Sequence, residues 1–365
     1  DKVKKKYQNA FFLFGIAVLV IMVTQLDFHQ VWLGLRHAGY WFFAVVALWF
    51  FLYFINTFAW YTIIRKTKDA QGPIPEGKGQ NHNKKDNTQP EENSRKTATG
   101  TEKANNRKIG FLWLYKVTVS GFALNYATSG GLMGGEPYRF MELTPKIGAE
   151  KASSSVILYV MTHIFSHFWF WLICSVLFIL LRPVNILTGV MLAVIIAICL
   201  TAIWFFLKGY RHGLAYSGMK LISHIPGLRK RASRFIDNHR SQLDTIDRQI
   251  ASLHNQNPRT FVSVVLLELA CRFSSALEVM FCLMVLYPSV NFLDCVFVMA
   301  FTTLFANMLF FMPLQLGGRE GGFVMSVTGL GFTASAGIFV ALIVRLRELI
   351  WTAIGLLLIK IERRK

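Results

Sequence analysis

The chain has 365 residues, 53% of them hydrophobic and only 16% charged, with a formal net charge of +19. Soluble domains usually carry about 25% charged residues, and the apolar residues here gather into runs too long for a soluble core, which excludes an ordinary globular enzyme. On a soluble protein the basic excess would point to nucleic acid. Here it fits Lys- and Arg-rich cytoplasmic loops that can rest on anionic head groups, so nucleic acid is not an expected partner.

A bilayer-spanning helix takes about 20 mostly apolar residues. In chain order the apolar runs are Phe11 to Leu26, Trp41 to Ile64, Phe111 to Tyr126, Val156 to Leu181, Val184 to Leu207, Phe261 to Tyr287, Phe292 to Met312 and Phe332 to Ile359. Lys2, Lys4, Lys5 and Lys6 precede the first, as in a signal peptide, but Thr24-Gln25-Leu26-Asp27 is a poor cleavage site, so the run reads as a retained span. Residues 66–108 are polar and low in complexity and predict a disordered cytoplasmic insert. Residues 208–259 are basic, with Leu243, Ile246, Ile250 and Leu253 spaced three and four apart. That stripe predicts an amphipathic helix on the membrane surface, or a helical hairpin between spans. The five cysteines fall inside or at the edge of apolar runs with no CxxC or zinc spacing, and read as packing residues.

Charge decides between two topologies. If every run crosses fully, the basic segment 208–259 lies outside, against the positive-inside bias. If the third and seventh runs are re-entrant, outside loops keep only Arg36, Arg182 and Arg319. Lys116, Arg272, Arg345 and Arg347 then lie within runs, and the other 32 of the 39 Lys and Arg are cytoplasmic. The third and seventh runs both end in Gly- and Pro-rich stretches, 129–137 and 312–322, which interrupt helices. The sequence therefore predicts an all-α polytopic membrane helix bundle, one membrane domain over 1–365 with both termini cytoplasmic. It is built as an inverted repeat, 1–181 and 182–359, with two re-entrant Gly-rich elements.

Glu136-Pro137 reads as a helix start, with the helix stopping before Pro145. Free N–H groups and Arg139 in the first turn suit an anion, and Gly317-Gly318-Arg319-Glu320 offers the same ingredients in the second half. Glu268 and Arg272 are spaced i, i+4 in the sixth run; Arg345 and Glu348 are i, i+3 in the eighth, with Arg347 beside them. A charge at the membrane centre costs about 2.5–3.5 kcal/mol on insertion scales, so it is normally paired or functional. One acid, Glu348, serving two cations leaves a surplus positive charge that suits a phosphate; Glu278 is given no role. His163 and His167, i, i+4 on the fourth run with no acid accompanying them, read as a polar pair facing the bundle, and no metal or cofactor is expected.

Gly-Gly-Glu-Pro-Tyr-Arg (134–139), Pro-Leu-Gln-Leu-Gly-Gly-Arg-Glu (313–320) and the Arg-bearing last run (Arg345) together resemble the lysylphosphatidylglycerol synthase transmembrane, or flippase-like, family. Leu314 and Leu316 stand where the family pattern has prolines. The resemblance implies translocation of phospholipids or lipid-linked precursors; the aminoacyl-transferase domain of two-part members is not expected in this chain. The reading is a translocase of the cytoplasmic (inner) membrane, with Glu136, Arg139, Arg272, Arg319, Glu320 and Arg345 meeting an anionic lipid. Protein partners left open are a second copy or a separate lipid-modifying enzyme. The alternatives are a membrane enzyme acting on a lipid phosphate or polyprenyl carrier, with Glu136, Glu142 and Glu150 on a loop, and a non-catalytic membrane partner.

Overall fold

The computed structural model describes Val20 and residues 28–69, 109–127, 134–212, 258–309 and 318–361. These form ten helices and no strand: α1 (Phe28–Ala38), α2 (Tyr40–Asp69), α3 (Phe111–Ala127), α4 (Gly135–Ile147), α5 (Ala149–Leu181), α6 (Ile186–His212), α7 (Pro258–Met284), α8 (Phe292–Met308), α9 (Gly318–Gly329) and α10 (Ala334–Ile361). The protein is an all-α helical bundle. Helices α2, α5, α6 and α7 are long and apolar enough to cross a membrane. Helix α10 is as long, at 28 residues, but carries Arg345, Arg347 and Glu348 at its centre. Helices α3 and α8 have 17 residues each, about 26 Å at 1.5 Å per residue, less than the ~30 Å of a bilayer core.

Both short helices fold back. Gly135 N donates to Asn125 Oδ1 at 2.7 Å, Arg139 reaches the Thr118 carbonyl, and Lys146 lies over Trp113. As α4 advances its partners retreat along α3, so the two form an antiparallel hairpin. In the second hairpin Gly318 abuts Leu309 and Gly322 abuts Thr302, so α8 and α9 are also antiparallel. The hairpins open at opposite ends of the bundle. Ser120 on α3 bonds the Gly355 carbonyl near the end of α10, whereas the start of α8 is tied by the Arg182–Asp294 ion pair to the α5–α6 turn.

The helix contacts come in corresponding pairs. Helix α2 packs on α7, α3 on α10 and α8 on α5; α1 leans on α10 as α6 leans on α5. Close backbone approach needs glycine at these seams. A Cβ on Gly135 would stand 2.2 Å from the Gly121 carbonyl oxygen, and one on Gly355 would stand 2.5 Å from the Ala123 Cβ.

Several boundaries differ from the sequence expectation. Helix α4 continues through Pro145 to Ile147 and ends at Gly148, whose φ of 86° is left-handed. Pro145 sits in the last turn, where the lost bond is one among several that fray. Helices α1 and α9 lie outside the apolar runs, and α2 extends to Asp69, into the expected insert. The remainder of that insert, the stripe Leu243 to Leu253 and, except Val20, the first apolar run lie outside the described residues.

Candidate functional site

Between the helices lies a cavity of about 940 Å³, walled by both hairpins and by α2, α5, α6, α7 and α10. Its polar wall includes Glu136, Arg139, His163, His167, Glu268, Arg272, Glu278, Arg319, Arg345 and Glu348. Five of the six expected site residues thus meet in one space. Glu320 is not on the wall itself but bonds Arg345, which is.

On the first hairpin Arg139 is 1% exposed. Its guanidinium carbon lies 4.8 Å from the Phe122 ring centre, 5.1 Å from Tyr159 and 5.5 Å from Trp60. Stacking on three rings suits a planar, weakly hydrated cation. Nη1 donates to Glu136 Oε1 at 3.1 Å, and Asn125 donates to the same oxygen at 3.2 Å. Glu136 Oε2 and Arg139 Nε are buried with no hydrogen-bond partner among the described residues.

On the opposite wall the pairs interlock. Arg319 bonds Glu348, and Arg345 bonds Glu320. Arg345 Nη1 also lies 3.6 Å from Glu348 Oε2. Arg347, fully buried, holds Glu278 with both prongs, Nε to Oε1 at 2.8 Å and Nη2 to Oε2 at 3.0 Å, and its guanidinium carbon lies 3.8 Å from the Trp49 ring centre. Between the two walls Arg272 donates to Ser166 Oγ at 2.9 Å and to the His163 carbonyl at 2.8 Å.

The lining from α6 is mostly aliphatic. Val190, Met191, Val194 and Ile198 on α6 line the cavity, yet each is more than half exposed. The cavity therefore opens past this half of α6, between a charged interior and an apolar flank.

The family model described as the lysylphosphatidylglycerol synthase TM region matches residues 10–355. The chain belongs to this family. No curated protein and no solved structure matches it.

The bundle departs from four sequence expectations. Arg345 and Arg347 both lie near Glu348, at 3.6 and 3.9 Å, but do not depend on it alone: Glu278, which was given no role, is the main partner of Arg347, and Glu320 joins Glu348 around Arg345. Three arginines thus face three carboxylates and no surplus cation remains among them. The histidines do have an acid, for His163 Nδ1 lies 2.8 Å from Glu268 Oε2 on the neighbouring helix. Arg319, expected in an outside loop, is in α9 on the cavity wall. Glu136 and Glu142 belong to α4 and Glu150 to α5, so they do not form an acidic loop. Glu278 was hidden because it sits six residues beyond Arg272, on another side of α7; only the crossing of α10 shows what it faces.

Proposed function

We propose that this chain is a lipid translocase that moves an anionic phospholipid or lipid-linked precursor between leaflets of the cytoplasmic membrane. Six helices cross, the two hairpins are re-entrant, the repeats are 1–181 and 182–359, and both termini are cytoplasmic. The observation that carries this reading is the cavity: charged inside, walled by both hairpins, and open past an aliphatic helix face. A lipid has that division, with a phosphate for the interior and acyl chains that stay along α6.

The arginines supply the recognition. Each is held by a carboxylate: Arg139 by Glu136, Arg272 by Glu268, Arg319 by Glu348 and Arg345 by Glu320. A phosphate competes for the same guanidinium forks, and the exchange keeps every cation compensated. Arg139 and Arg319 capture the head group on their respective hairpins, Arg272 and Arg345 hand it past the middle, and Glu136 and Glu320 reclaim their arginines on release.

The test is reconstitution into liposomes with fluorescent phosphatidylglycerol or phosphatidylcholine and quenching from outside. Faster exchange of the anionic probe, lost in Arg139→Ala and Glu136→Ala, is the expected result. No exchange of either probe, with turnover of a lipid phosphate instead, would replace the translocase by the membrane enzyme.

A further inference from the structure

Beside the arginine–carboxylate pairs, the cavity wall holds a cluster of a second kind. Glu268 on α7 is 1% exposed. Its Oε2 lies 2.8 Å from His163 Nδ1 and 4.0 Å from Arg272 Nη2, while Oε1 is buried without a hydrogen-bond partner among the described residues. One turn along α5, His167 packs edge-on against His163 with ring centres 5.4 Å apart, and its Nδ1 is likewise buried and unpartnered. Buried polar atoms without partners are costly, and native proteins keep few of them. Here two occur within one cluster, both in groups able to bind a proton.

We propose that the His163–Glu268 pair is a proton-binding site coupled to entry of an anionic head group. The inference rests on the translocase reading and adds its coupling ion. Arg272 is the link. It is the cation beside Glu268, and it is anchored to α5 through Ser166 and the His163 carbonyl. A phosphate that engages Arg272 takes its compensation from Glu268, and the pair then carries one uncompensated negative charge in a buried site. A proton taken from cavity water restores neutrality. It belongs to the pair rather than to one residue, since the two groups share a hydrogen bond.

The surroundings favour this exchange. Tyr159 and His167 face the pair from α5, Cys271 and Arg272 from α7, and Arg139 and Glu136 from α4. Helices α2 and α3 contribute Asn56, which bonds Cys271, and Phe122, which packs on the His163 ring. Arg139 and Glu136 compensate each other. Across the cavity Arg319 and Arg345 are paired with Glu348 and Glu320, and Arg347 with Glu278. Helices α6 and α8 present Cys199 and Thr303. The charges named cancel in pairs, so one added anion is answered by one added proton.

The experiment titrates detergent-solubilised protein with dihexanoyl phosphatidylglycerol in weak buffer near pH 7, recording heat of binding and pH together. About one proton is taken up per lipid bound by the wild type, and none is taken up with dihexanoyl phosphatidylcholine. His163→Gln and Glu268→Gln, each checked for a monodisperse elution profile, bind the anionic lipid with at least tenfold less proton uptake. In liposomes, a gradient of one pH unit shifts the steady-state leaflet ratio of anionic probe by up to about tenfold for one coupled proton. Binding or exchange that ignores pH overturns the coupling and leaves the translocase standing. Binding with proton uptake but no leaflet exchange keeps the proton site and removes the translocase. Absence of any lipid binding overturns both.

Discussion

Arg347 shows what a single buried charge contributes here. It is fully buried, both prongs engage Glu278, and the plane rests on Trp49. Desolvating the two ions costs several kcal/mol each, offset by their attraction and by the paired hydrogen bonds. Removing one partner leaves the other charged and alone. Arg347→Met is therefore expected to destabilise the protein by about 3–5 kcal/mol, read as a lower midpoint of thermal unfolding in detergent. The double change Arg347→Met with Glu278→Leu is expected to recover most of that loss. If the double variant is no better than the single one, the pair does not act as a unit. The sequence alone offered Arg347 and Glu278 as separate charges. Their spacing along two distant runs says nothing of which faces meet, so the pairing becomes visible only when α10 crosses α7.

At the scale of the element, most long helices were legible in the sequence. The run Phe111 to Tyr126 became α3, ending at Ala127, and Trp41 to Ile64 lies within α2. Twenty apolar residues leave a chain in lipid few alternatives to a helix, because every backbone group must find a partner internally. The short helices were less legible. Helix α9 contains Gly318, Gly321, Gly322 and Gly329, and glycine costs about 1 kcal/mol per residue in a helix interior. Propensity therefore argued for a break where packing demands a helix with no side chain in the way. The same demand governs α3 and α4. A methyl on Gly121 would come 2.5 Å from Arg139 Nε, the side of a planar group held under three rings, whereas a methyl on Gly135 would come 2.2 Å from a backbone oxygen. Overpacking of this kind typically costs about 1–3 kcal/mol. Gly135→Ala is expected to lower the thermal midpoint more than Gly121→Ala, since a backbone yields less than a side chain. Gly329→Ala, with nothing within 4 Å, should leave it unchanged. Equal effects at all three positions would mean that the α3–α4 seam is not tight.

At the scale of the whole molecule, the proposed inverted repeat makes a claim about sides. The hairpin α3–α4 opens at the end of the bundle that holds the last turns of α10, and α8–α9 opens at the end that holds the α5–α6 turn. If the first end is cytoplasmic, as we propose from the Lys and Arg distribution, Gly110 and Ala149 face the cytoplasm while Asn185 and Ser289 face outward. All four are exposed. The native cysteines suit a labelling test, because all five are free and buried. An impermeant maleimide applied to right-side-out vesicles should leave the wild type unlabelled. It should label Asn185→Cys and Ser289→Cys at once, and reach Gly110→Cys and Ala149→Cys only after permeabilisation. The reverse pattern would invert the protein in the membrane while keeping its two-sidedness. Labelling of Gly110→Cys and Asn185→Cys from the same side would break the arrangement of six spans with two re-entrant hairpins. It would also remove the reason for two capture arginines, since Arg139 and Arg319 serve opposite leaflets only if their hairpins enter from opposite faces.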